Sequence, residues 1–208
     1  MANQRPPGAH RCGATPAADD HTAGDVEIIA ATRRWIERAV IGLNLCPFAR
    51  APFVQQRIRF RVSRARDADA LAADLHHEVR TLAAADPASI ETTLLIHPWV
   101  LADFPDYNDF LDVADALLAG MKLEGVVQIA SFHPDYRFAD TSADAPENRT
   151  NRSPYPTLHL LRESSVEQAT LALPDTGAIY RRNIETLRTL GDAGWLALWH
   201  DDENTQSA

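Results

Sequence analysis

"RIRFRVSRARDADALAADLHHEVRTLAAADPASIETTLLI", residues 57–96, holds three hydrophobic patterns in succession. In its first seven residues Ile58, Phe60 and Val62 alternate with Arg57, Arg59 and Arg61, the period-two pattern of a half-exposed strand suited to a sheet edge. In "DADALAADLHHEVRTLAAA" the residues Leu71, Leu75, Val79 and Leu82 recur at helical spacing, with His76 and His77 reading as surface residues. "ETTLLI" then reads as a short buried strand. Strand, amphipathic helix, strand is the order of a crossover unit, and right-handed crossovers make successive strands parallel.

The alternation continues downstream. "DYNDFLDVADALLAGMKL" is expected to be a helix with Phe110, Ala114, Leu117 and Met121 inward, Asp106 as its cap and Asp109 in the capping-box position. "GVVQIASF" reads as the third strand and "TLHLL" as the fourth, followed by a short helix around "SSVEQATL" and a longer one, "GAIYRRNIETLRTL", closed by Gly191. Upstream, "DVEIIAATRRWIERAVIGLN" puts Ile28, Thr32, Trp35, Ile36, Ala39 and Leu43 on one helical face, with Asp25 as cap and an end before Pro47. The expected fold is α/β: a single layered domain over residues 25–200, with a small, mostly parallel sheet flanked by amphipathic helices. The fourth strand can run antiparallel. Residues 1–24 and 201–208 have no apolar period to bury and read as disordered tails.

A chain of 208 residues with 45% hydrophobic content suffices for one well-buried core. The net charge of -9 argues against a nucleic-acid or anionic-membrane partner, since phosphate binding needs a basic face. Two cysteines, Cys12 and Cys46, are too few for a disulfide framework and point to a reducing cytoplasm. No stretch approaches the length of a membrane span, and the first residues lack the apolar core of a signal peptide. Among the basic residues Lys122 is the one lysine, a usage that suggests a GC-rich bacterial genome.

Taken together, "GLNLCPFAR", "DYNDFLDVADALL", "QIASFHPDYRFAD", "TNRSPYPTLHLLRE" and "RRNIETLRTLGDAGW" resemble a bacterial family catalogued as domain of unknown function 1415, over about Asp25 to Trp199. The resemblance implies no activity, substrate or catalytic residue, so the chemistry is read from this chain's own side chains.

His97 and His133 each follow an apolar strand and precede a proline that ends it. If those strands are parallel neighbours, both imidazoles emerge at the carboxyl edge of the sheet, where open α/β folds bind ligands; alternatively, each terminates a strand by bonding a nearby carbonyl. The loop from His133 to Pro156 adds Asp135 and Tyr136, a tip of disordered composition, "ADTSADAPE", and then Asn148, Arg149, Asn151, Arg152 and Tyr155 in "NRTNRSPYP". Guanidinium forks and amides between prolines suit bidentate recognition of a carboxylate or phosphate. A solvated turn with Arg152 tied to a neighbouring acid is the other reading. Cys46 follows a helix C-terminus, whose partial negative charge raises a thiol pKa, so it is either a small buried hydrophobe or a nucleophile activated by a distant histidine. His159 points away from Leu158 and Leu160 and could join Cys46, His97 and His133 around a metal, although no ligand-spacing motif supports a metal assignment. GxGxxG, Walker and GxSxG motifs are absent.

The functional expectation is an enzyme acting on a small anionic metabolite. His133, His97, Cys46 and Asp135 are its catalytic candidates, and Arg152, Arg149, Asn151, Asn148, Tyr136, Tyr155 and His159 its ligand-binding candidates. A non-catalytic ligand- or metal-binding protein is the alternative, as is a scaffold that docks an acidic partner, or a second copy, along "RIRFRVS". Cofactor and oligomeric state stay open.

Overall fold

The computed structural model describes residues 18–171 and 176–199. Four strands, β1 (Ile58–Val62), β2 (Thr92–Ile96), β3 (Val127–Phe132) and β4 (Thr157–Arg162), form one sheet in the order β1-β2-β4-β3. β1 and β2 pair in parallel, and β4 runs antiparallel to both β2 and β3. The first three strands therefore share a direction and the fourth opposes them, as the crossover argument expects. β2 and β3 are not neighbours, because β4 returns from the long loop and fills the slot between them. β1 and β3 are left as the two edges.

Amphipathic helices cover both faces. On one, α3 (Ala68–Ala84) and α4 (Phe104–Gly120) bury Leu71, Leu75, Val79, Tyr107, Phe110 and Ala114 against Leu95, Val127, Leu158 and Leu160 of the sheet. On the other, α1 (Ala18–Trp35) and the π-helical turn that continues it (Ile36–Ile41) pack Ile28, Trp35, Ile36 and Ala39 against Val62, Leu94 and Ile96. Phe60, Phe132 and Trp195 border this second cluster. Burying a Leu- or Ile-sized side chain contributes about 1.5–3 kcal/mol, so these two stripes dominate the fold's stability. The remaining helices are α2 (Arg50–Val54), a 3₁₀ turn (Pro146–Thr150), α5 (Glu163–Leu171) and α6 (Thr176–Ala197).

Several boundaries differ from the sequence reading. α1 opens upstream of Asp25, so Asp25 is an interior helical residue, and its carboxylate pairs with Arg64 at 2.8 Å instead of capping. Asp103 takes the N-cap position of α4 without a side-chain capping bond, and Pro105 sits in the first turn, where Pro needs no N–H partner; Asp106 is the first-turn acid. Gly191 has φ +63°, the left-handed value expected of a helix-ending glycine, but α6 resumes after it and carries Trp195 back to the core. On the arginine face of β1, Arg57 and Arg59 are half-buried and Arg61 is exposed. Arg59 donates to both oxygens of Glu78 on α3, at 2.7 and 3.1 Å, and Glu78 is 1% exposed. His76 and His77 are exposed on α3. Residues 1–17 and 201–208 of the expected tails lie outside the described residues.

Candidate functional site

His97 and His133 stand one residue beyond β2 and β3, at the same edge of the sheet. Although β4 separates their strands, both imidazoles reach Tyr107 of α4: His97 stacks on its ring at 5.7 Å between centroids and His133 tilts against it at 5.1 Å. Phe104 adds a third wall 5.4 Å from His133, and Tyr136 packs on Phe104 at 5.2 Å. The Tyr107 hydroxyl accepts the Phe132 N–H at 3.1 Å and donates to the Thr157 carbonyl at 2.9 Å. Phe132 and Thr157 face each other across β3 and β4, so the phenol replaces the last rung of that ladder and wedges the sheet end apart. Burial raises its pKa, and it serves as a neutral hydrogen-bonding group.

Both histidines are fully buried, and their hydrogen bonds fix opposite tautomers. His97 Nδ1 lies 3.1 Å from the Val100 carbonyl, which can only accept, so the proton is on Nδ1. Nε2 of His97 is left as a bare lone pair, buried and with no partner among the described residues. His133 is the reverse: its Nδ1 accepts the Asp135 N–H at 3.0 Å, and its Nε2–H donates to the Leu101 carbonyl at 3.2 Å. One turn of chain, residues 97–103, thus serves both rings. Leu101 in that turn has φ +56°, a left-handed backbone that is costly for a bulky residue. Burial pushes the His97 pKa down to about 4, aided by the nearby His133 and opposed by the Val100 bond. His133 is also lowered by burial, against the Leu101 bond and the charges of Asp135 and Asp103. Both rings are neutral near pH 7.

The loop polar residues are engaged by the chain itself. Asn148, fully buried, accepts from the Phe138 N–H and the Thr141 hydroxyl at 3.1 and 2.8 Å and donates to the Ser142 and Ala143 carbonyls at 2.8 and 3.4 Å. The tip that composition marks as disordered is therefore folded around one amide. Asn151 donates from its side chain to the Ser131 carbonyl and accepts the His133 N–H on its main chain, both at 3.1 Å, so it pairs with β3 as a strand residue would. Arg152 donates to the Tyr136 carbonyl at 3.3 Å and the Ala143 carbonyl at 2.7 Å. Arg149 pairs with Asp192 of α6 and lies over the Trp195 ring, 5.6 Å from its centroid. Tyr155 borders the cluster under α1, and Asp135 is exposed beside His133.

Cys46 and His159 belong to the opposite face. His159 meets Thr92 at 2.7 Å, and since the Thr92 hydroxyl donates to the Leu160 carbonyl, His159 Nε2–H is the donor in that contact. Burial pushes its pKa down to about 4. Cys46 follows the π-helical turn, half-buried, and burial pushes its thiol up against the lowering effect of the Phe48 and Ala49 amides, which is the wrong direction for a nucleophile at neutral pH. Among the described residues no three or more His, Cys, Asp or Glu side chains form a metal-binding group, and no helix is long and apolar enough to cross a membrane.

Residues 27–197 match the family model described as a protein of unknown function (DUF1415). The chain belongs to this family. No curated protein and no solved structure matches it. The matched DUF1415 region spans the whole histidine cluster and its loop. Sequence reasoning finds His97, His133 and Tyr136 there but not Tyr107, Phe104 or Leu101. Tyr107 had one legible signal: it precedes Phe110 and Ala114 on the same helical face, a phenol where a plain apolar residue would serve.

Proposed function

We propose that this chain is an enzyme that acts on a small anionic metabolite at the carboxyl ends of β2 and β3, with His97 as its proton acceptor. One observation carries the reading: the bare, buried Nε2 lone pair of His97, whose ring stacks on Tyr107. A buried polar atom without a partner costs about 1–3 kcal/mol, and native chains rarely keep one without a use. A lone pair calls for a donor, so the metabolite would carry a hydroxyl or amine beside its acidic group. His133, held in the other tautomer one ring away, would return a proton only by releasing the Leu101 carbonyl that its Nε2–H now holds.

Closed as it is, the cluster admits no substrate until residues 133–156 move. Arg152 is suited to couple that movement to ligand charge, because a carboxylate or phosphate is a stronger partner for a guanidinium than the two carbonyls it now holds. Arg149 sits toward α6, and the exposed Asp192 is a partner that an incoming anion can displace. The low cysteine count and the arginine-for-lysine usage favour a bacterial cytoplasm as the place of action.

The test is ¹⁵N NMR of the histidine rings while small hydroxy acids, amino acids and phosphate esters are titrated in. A ligand of this site shifts His97 Nε2 towards the hydrogen-bonded range, raises the melting temperature, and does neither in His97→Asn. If no compound moves that nitrogen, and hydrogen exchange shows residues 133–156 as slow to open as the core strands, the reading fails.

A further inference from the structure

We propose that the free edge of β1 docks an acidic, extended segment of a partner protein as an added strand. The Arg57 carbonyl accepts the Glu91 N–H at 2.8 Å and the Ser63 N–H donates to the Ile96 carbonyl at 2.7 Å, so the odd-numbered residues of this strand bond to β2. By the alternation of a parallel ladder, the N–H and C=O groups of Ile58, Phe60 and Val62 point the other way. β1 is an edge of the sheet, and among the described residues no main-chain partner meets those groups. A cleft of about 420 Å³ opens along residues 58–60 of this strand, between Ile29 and Arg33 of α1 and Gln56, Ser89 and Ile90.

The charge around this edge selects the occupant. Arg33 lies over Phe60, 4.5 Å from the ring centroid, Arg64 and Arg66 both lie 4.9 Å from the Trp99 ring, and Arg61 is 51% exposed. With Arg57 and Arg59 they set six arginines about one strand of a chain whose net charge is -9. Asp25, Glu78 and Glu91 answer part of that charge. A second copy would bring two such arginine rows together. An acidic strand instead satisfies the main-chain row and the guanidinium groups at once, the mode in which backbone bonds give affinity and side chains give selectivity.

An alternating Glu–Thr octapeptide labelled with fluorescein, followed by anisotropy at low salt, is the probe. It should bind the full chain, while an alternating Lys–Thr peptide should not. The same Glu–Thr peptide N-methylated at alternate residues keeps its charge but loses the donors a strand needs, and its binding should disappear. R61E with R66E should weaken binding at least about tenfold; should that pair fail to fold, Arg61→Gln alone gives a smaller loss in the same direction. Equal binding of the N-methylated peptide, tighter binding of a single-stranded oligonucleotide of matched charge, or no binding of the Glu–Thr peptide would each overturn the proposal.

Discussion

The two edges of the sheet solve the same problem in opposite ways. At β3 the chain caps its own edge: Asn151 meets the Ser131 carbonyl and the His133 N–H, and the loop from His133 to Pro156 closes over both. At β1 the outward main-chain groups have no main-chain partner among the described residues, and the arginines around them discourage a second copy and suit an acidic partner. Polar side chains that look alike in sequence therefore have different tasks. Those near β3 fold a loop; those near β1 face outward or pair across to α3. Self-contained hydrogen bonding makes the β3 edge rigid, and charge makes the β1 edge selective.

The largest effect that could break this contrast concerns Asn148. Asn148→Ala leaves the Phe138 N–H and the Ser142 carbonyl without their buried partner, while the Thr141 hydroxyl keeps the Phe138 carbonyl as its acceptor. At about 1–3 kcal/mol for each stranded group, partly relieved by water entering the opened loop, the loss of unfolding free energy should be about 4 kcal/mol. Urea denaturation measures it. A loss under about 1 kcal/mol would mean that the loop is not held by its own amides, and the description of the β3 edge would be wrong.

Acid should weaken the β3 side next. The His97 pKa is lowered from 6.5 to about 4 by burial, so as pH falls the unfolded chain takes up its proton first. The stability held above pH 6.5 is lost progressively and levels off near pH 4, a total of about 3 kcal/mol from this ring at about 1.4 kcal/mol per pH unit. His159 titrates in the same window, so the comparison is with His97→Asn, whose curve should be flatter by that amount. Amide exchange should rise at residues 133–156 before it rises in β1. A uniform rise would show that the two edges are not independent.

Glu78→Gln probes the other edge. Breaking a buried ion pair costs about 3–5 kcal/mol, but because Arg59 is 35% exposed and Gln keeps an acceptor, about 2 kcal/mol is expected. The same change removes the charge that Arg59 and Arg61 now share, so the Glu–Thr peptide should bind more tightly as the fold weakens. Loss of both stability and binding would mean that β1 itself has come away from α3.

The layering was legible because hydrophobic period is local: alternation in 57–63 and the Leu71, Leu75, Val79, Leu82 spacing determine strand and helix without reference to the rest of the chain. The place of β4 between β2 and β3 was not legible, since a long loop can return a strand to several slots. His97 and His133 could be picked out as the residues ending apolar runs before proline. The role of the loop polar residues could not. Composition shows that Asn148, Asn151 and Arg152 can hydrogen-bond, but whether they meet carbonyls or a ligand depends on which backbone groups the fold leaves unpaired. Glu78 shows the same limit, a carboxylate on the buried face of α3 that only the arginines of β1 explain.

Arg149 gives the smallest and most discriminating effect. Its guanidinium is 14% exposed, but Asp192, its partner, is 86% exposed, so the pair is open to solvent on one side. An exposed ion pair is worth about 0–1 kcal/mol, and the stacking on Trp195 adds about 0.5–1 kcal/mol. Arg149→Lys loses the fork but keeps a cation over the ring and should cost less than about 0.5 kcal/mol; Arg149→Gln loses both and should cost about 1 kcal/mol. If the residue only ties the loop to α6, Asp192→Asn lowers stability by a similar small amount and changes nothing else. If instead Asp192 holds the place of an anionic ligand, Asp192→Asn frees the guanidinium and strengthens the thermal shift given by whichever acid moves His97 Nε2, while Arg149→Gln abolishes it. Melting curves of the three variants, with and without that acid, separate a loop whose bonds are all structural from one that exchanges an internal acid for a substrate's.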